Sequence, residues 1–180
     1  MTVSENENKK PIPWTLPASY AAEFTVCGFI GWLYEVAVMY VIWRHFCDRG
    51  FLHIPILPIY GFFALILLVI FRKKNSFLFV FFVSMGITTA GELISSYVIE
   101  AVIGEQLWSY DMWRFNFQGR IALYSSLMFG GLSVLLVKAV HPLMRLFHRK
   151  APNLSAASGI ICILVILTDL CLTIIERRGR

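Results

Sequence analysis

Five apolar stretches, at about residues 18–43, 54–71, 77–103, 121–140 and 156–175, take up most of the 180-residue chain. Each is near or beyond the roughly 20 residues an α-helix needs to cross a bilayer. In hydrocarbon a backbone amide finds no water, so segments of this kind are confined to structures that satisfy their own hydrogen bonds. Composition agrees: 58% of residues are hydrophobic, 15% are charged and mean hydropathy is +0.69, too apolar for a chain that covers one core with a wetted surface. The expected fold is an all-α polytopic membrane helical bundle of about five transmembrane helices. One domain is expected over residues 18–176, after a disordered polar tail at 1–17 and before a short basic tail at 177–180.

The spans differ in character. The first and third are long enough to tilt or protrude. The second begins with Pro55 and Pro58, which remove backbone donors. A regular helix is therefore expected only from about Tyr60, leaving room for a re-entrant segment before it. Gly28, Gly31, Gly130 and Gly131 offer places for close helix approach, and Ser125 and Ser126 offer hydrogen bonds between helices.

Several classes of function are excluded. The chain is too short to add a nucleotide-binding domain to five spans, and no G-x-x-x-x-G-K-[ST] occurs, so ATP-driven action requires a separate ATPase subunit. The net charge of +5 comes from short clusters between apolar runs, the pattern of membrane topology rather than of a nucleic-acid face. Neither G-x-S-x-G nor H-E-x-x-H is found. His45, Cys47, Asp48 and His53 fit no zinc spacing, and three of the four cysteines lie in apolar runs as small packing residues. No cofactor and no metal are expected.

Orientation follows the basic residues of the loops. Lys9, Lys10, Arg72, Lys73, Lys74, Arg145, Arg149 and Lys150 fall on the N-terminal side, eight in all, against Arg44, Arg49, Arg114, Arg120, Arg177, Arg178 and Arg180, seven, with Lys138 inside the fourth span. With Arg49 and Arg120 set aside as site residues, the count is eight to five and favours a cytoplasmic N-terminus. Residues Leu143 to Lys150 read as a basic interfacial segment suited to the anionic cytoplasmic leaflet.

A charge at the bilayer centre costs about 2.5–3.5 kcal/mol on insertion scales, so intramembrane acids generally face a bundle interior or a wet cavity. Glu35 lies in the first span, and Glu92 and Glu100 share one stripe of the third with Ser96 between them. Two loops on the opposite side from the N-terminus are dense in fixed-backbone and recognition residues. One carries Arg49, Gly50, His53, Pro55, Pro58 and Tyr60; the other carries Trp108, Tyr110, Asn116, Gly119 and Arg120. Each arginine is suited to clamp a carboxylate or phosphate, or to pair with one of the glutamates. Both readings stand, a substrate site or a set of structural staples. Asp169, in the fifth span, is expected to be structural or to reach toward Arg177, with a proton-relay role as the alternative.

The strings Gly31-Trp32-Leu33-Tyr34-Glu35, Asp48-Arg49-Gly50-Phe51-Leu52, Pro55 with Pro58-Ile59-Tyr60-Gly61, Glu92 through Glu100, Trp108-x-Tyr110 and Phe115-Asn116-Phe117-Gln118-Gly119-Arg120-Ile121 carry a resemblance. Over about Phe24 to Gly131 the chain resembles the putative ABC-transporter type IV family, also called CmpB-like. It departs from that pattern at Ser109, where an acid is expected and Asp111 stands nearby, and at Asp48, where Asn is usual. The resemblance implies a small multi-span membrane protein, of the bacterial cytoplasmic membrane, with a permease-like role and no stated substrate.

The expected function is thus a transporter or permease-like membrane subunit. Its polar cavity would be formed by Glu35, Arg49, His53, Tyr60, Glu92, Glu100, Trp108, Tyr110, Asn116 and Arg120. Five spans are few for a solitary carrier, so a homo-oligomer or a partner membrane subunit is expected within the lipid bilayer. The alternatives are an intramembrane enzyme acting on a lipid or isoprenoid-linked phosphate, and a non-catalytic scaffold.

Overall fold

A computed structural model describes residues 15–46, 50–73 and 76–178. Most of the expected tail, residues 1–14, lies outside them, as do Cys47, Asp48, Arg49 and the last two residues. The described residues are helical apart from loops and one small hairpin. In chain order they form α1 (Thr15–Trp43), α2 (Pro58–Ile70), α3 (Phe77–Ile103), β1 (Asn116–Phe117), β2 (Ile121–Ala122), α4 (Leu123–Leu135), α5 (His141–Lys150) and α6 (Pro152–Arg178).

Among the described residues four helices are long and apolar enough to cross a membrane: Thr15–Ile42, Phe77–Ile103, Leu123–Lys150 and Pro152–Arg177. The fifth, α2, has 13 residues and rises about 20 Å, short of a hydrocarbon core of roughly 30 Å. It starts at Pro58, two residues before the expected Tyr60, because proline at the first helical position loses no intrahelical bond. The third span matches expectation to the residue. Ser76 caps it by accepting from Phe79 N–H at 3.2 Å, and Gly104 closes it in a left-handed conformation at φ 87°.

The fourth span runs further than its apolar stretch. The expected interfacial segment Leu143 to Lys150 is α5, which continues from α4 through a π-helical turn at Leu136–Val140. There the His141 N–H reaches back to Leu136 O, five residues earlier.

The chain divides into two compact units, Met1–Gly61 with Leu143–Arg180, and Phe62–Pro142. In the first, α1 packs along α6. The approach is so close that a Cβ placed on Gly159 would overlap the Ala18 carbonyl oxygen. Gly28 and Gly31 receive the segment after the first span rather than another long helix: Ile56 and Leu57 lie against Gly28, and the Tyr60 ring against Gly31. Leu57 N–H donates to Gly28 O at 3.1 Å.

In the second unit α3 packs along α4 and is inverted relative to a soluble helix. Its buried residues are Val80, Ser84, Thr88, Glu92 and Ser96, one per turn, whereas Phe77, Leu78, Phe82, Ile94, Val98 and Val102 are exposed. The facing side of α4 buries Ser125, Ser126, Gly130 and Ser133. Polar inside and apolar outside is the arrangement lipid favours, where an exposed leucine costs nothing and an exposed hydroxyl lacks partners.

Candidate functional site

The second unit contains six of the expected site residues: Glu92, Glu100, Trp108, Tyr110, Asn116 and Arg120. Their positions depend on the loop between α3 and α4. After Phe117 the chain turns through Gln118 and Gly119, both at positive φ (53° and 65°), and returns as β2, pairing Asn116 with Ala122 and Phe117 with Ile121. A glycine is needed at 119, since a Cβ there would collide with the Asp111 carboxylate as well as strain the backbone. Asn116 builds the turn: its Nδ2 donates to Trp113 O at 2.7 Å, and its Oδ1 accepts from Gly119 N–H at 2.9 Å. Its role is local geometry. Ser109 and Asp111 bond each other at 2.6 Å.

This turn brings two groups against α3. Tyr110 Oη donates to Glu92 Oε1 at 2.7 Å, and Ser125 Oγ lies 3.4 Å from Glu92 Oε2. Ser125 also stands 2.9 Å from Ala122 O, so its single hydrogen has a second acceptor at hand. Glu92 is 5% exposed. One helical turn on, Arg120 Nη1 donates to Ser96 Oγ at 2.9 Å, its Nη2 pairs with Glu100 Oε2, and the guanidinium lies 4.0 Å from the Tyr97 ring centroid. Trp108 Nε1 donates to Arg120 O at 3.1 Å. Of the two expected roles for Arg120, the structure contains the pairing with a glutamate. Trp113 stacks on Tyr124 at 4.8 Å and 4°.

An apolar groove of about 240 Å³ lies beside the hairpin, lined by Trp113, Arg114, Phe115, Leu123, Tyr124 and Leu127. It holds none of the expected site residues.

The first unit contains Glu35, His53 and Tyr60; Arg49 lies outside the described residues. Tyr60 Oη donates to Glu35 Oε1 at 2.8 Å, so α1 holds the start of α2 through an acid as well as through Gly31. His53 is held by α6. Its backbone N–H donates to Asp169 Oδ2 at 2.8 Å, its Nδ1 is 3.1 Å from Asp169 Oδ1, and its Nε2 is 3.1 Å from Glu176 Oε2. These bonds, that to Asp169 first and Glu176 next, raise the His53 pKa above the ordinary 6.5. The sequence reading missed this partnership. Of the roles expected for Asp169 the structure contains a structural one, and Arg177 lies over the Phe51 ring at 4.4 Å. The available signal was the spacing of Asp169, Thr173 and Glu176, which share one stripe of a helix. The two carboxylates address opposite edges of the imidazole, a geometry for hydrogen bonding rather than for convergence on one ion. Among the described residues no group of three or more His, Cys, Asp or Glu is arranged to hold a metal.

The polar-in, apolar-out helices and their length define an integral membrane protein of the helical class, with a lipid bilayer as its environment. The chain belongs to the family described as putative ABC-transporter type IV, whose sequence profile matches residues 22–174. No curated protein and no solved structure matches it.

Proposed function

We propose that the protein is a permease-type membrane subunit of a transport system, with the Glu92–Tyr110–Ser125 cluster as its polar contact for the substrate. One observation carries this: a carboxylate 5% exposed in the middle of a spanning helix, held by hydroxyls from a loop and from α4. A group of this kind is costly in a membrane and is generally retained for function. The family description supports the same reading, and a homo-oligomer or a separate ATPase subunit would supply what one small chain lacks. The family resemblance implies a bacterial cytoplasmic membrane setting, and the loop charges counted over five spans favour a cytoplasmic N-terminus.

The test is uptake into liposomes by the full chain, alone and with candidate ATPase partners, over a broad substrate panel. Glu92→Gln is expected to abolish uptake in protein that still folds. Uptake unchanged by Glu92→Gln sinks the assignment.

The Arg120–Glu100–Ser96 contact favours a second reading, in which this part of the cluster is a staple between α3 and the hairpin. On that reading Arg120→Gln and Glu100→Gln each lower stability, and the double variant costs less than their sum.

A further inference from the structure

His53 lies between α1 and α2, outside the spanning helices, and each edge of its ring faces a different acid of α6. Thr173 fixes the protonation required. Its Oγ1 is 3.0 Å from His53 Nδ1, while its single hydrogen is given to Asp169 O at 2.8 Å. The Thr173 oxygen is therefore left to accept, and an ionised Asp169 Oδ1 has only acceptor capacity. Nδ1 must carry hydrogen to satisfy both. Nε2, facing Glu176 Oε2, must carry hydrogen as well for that bond to form. An imidazole with both N–H groups is the cation.

We propose that His53, Asp169 and Glu176 form a proton-binding clasp, which fastens the segment before α2 to both acids of α6 when His53 is protonated and to Asp169 alone when it is neutral.

The asymmetry follows from the neighbours. A neutral His53 keeps its hydrogen on Nδ1, where two acceptors wait, and then turns a lone pair toward the Glu176 carboxylate. The Asp169 end persists, because the backbone N–H groups of His53 and Ile54 donate to Oδ2 at 2.8 and 3.4 Å and do not titrate. Besides the two acids, α6 presents Arg177, over Phe51; α1 presents Glu35, bonded to Tyr60 at the far end of the segment. The proton thus controls one arm of a segment whose other anchors, to Gly28, Glu35 and Asp169, stay in place. The carboxylate bonds raise the His53 pKa, which places the release above 6.5.

The experiment is an NMR titration of the full chain in detergent micelles with ¹⁵N-labelled histidine. The His53 midpoint is expected above that of an ordinary histidine. It should fall in both Asp169→Asn and Glu176→Gln, further in the first, with proton affinity reduced several-fold. Above the midpoint the hydrogen is expected on Nδ1. An ordinary midpoint unmoved by Glu176→Gln, or hydrogen on Nε2 in the neutral form, overturns the clasp. Glu176 is 49% exposed, so its variant keeps the test decisive even if Asp169→Asn does not fold.

Discussion

In one unit α1 and α6 meet through glycine against backbone, whereas in the other α3 and α4 meet through hydroxyls and an acid. Lipid explains why there are two solutions. Apolar surface gains little by leaving hydrocarbon for another helix, so association rests on close packing or on hydrogen bonds. The first unit takes the former route at Gly159, and the contacts of Glu35, Asp169 and Glu176 hold the segment between α1 and α2. The second takes the latter, with Thr89 Oγ1 donating to Ser126 Oγ at 2.8 Å and Glu92 buried in the same seam. A seam built from polar groups keeps an acid, Glu92, buried between its helices.

The contrast breaks most readily at glycine. Gly159→Ala pushes a methyl into the Ala18 carbonyl, a backbone atom with no rotamer to escape by, and is expected to cost about 3 kcal/mol. Gly131→Ala meets nothing within 4 Å and is expected to be neutral or mildly stabilising by helix propensity. Unfolding of both variants in micelles checks this, and equal behaviour would remove the distinction between the units.

Arg120→Gln is the corresponding test of the polar unit. Breaking a buried ion pair typically costs roughly 3–5 kcal/mol. Here Arg120 is 13% exposed but Glu100 41%, so the orphaned acid can recover water and about 2 kcal/mol is expected. A smaller effect, about 1 kcal/mol, is expected for Tyr60→Phe, which keeps the ring against Gly31 and deletes only the 2.8 Å bond to Glu35. Thermal unfolding reads both, and a larger loss in Tyr60→Phe than in Arg120→Gln would reverse the ranking of the two acids.

Apolar length made the helices legible, to the residue for Phe77–Ile103, because Ser76 and Gly104 punctuate that span. It failed at Leu143–Lys150, where a basic amphipathic stretch reads as separate although the helix continues through a π turn. Glu92, Glu100 and Arg120 were legible as a set because charge is rare inside spans. Which acid the arginine takes was not, since about two turns of α3 separate the choices and the hairpin register decides. His53 with Asp169 was out of reach for another reason: they stand 116 positions apart, and helix periodicity links residues only within one helix.

The smallest effect concerns pH. His53 gains acceptors on folding, so its folded pKa lies above its unfolded one. The sign follows from linkage: below the unfolded value both states hold the proton and the stabilisation is fully present, and as pH rises through the raised folded value it is lost. The window therefore opens near 6.5 and extends upward. With the His53 side chain 55% exposed and that of Glu176 49%, solvent screens most of the attraction and the change in midpoint is expected to be slight. Unfolding of the native protein and of His53→Gln, compared across that window, isolates it: the stability gap between them should narrow as pH rises. A gap constant with pH would mean that the carboxylates hold a neutral ring, and that the loop of the first unit, like the α1–α6 contact beside it, depends on packing and backbone bonds alone.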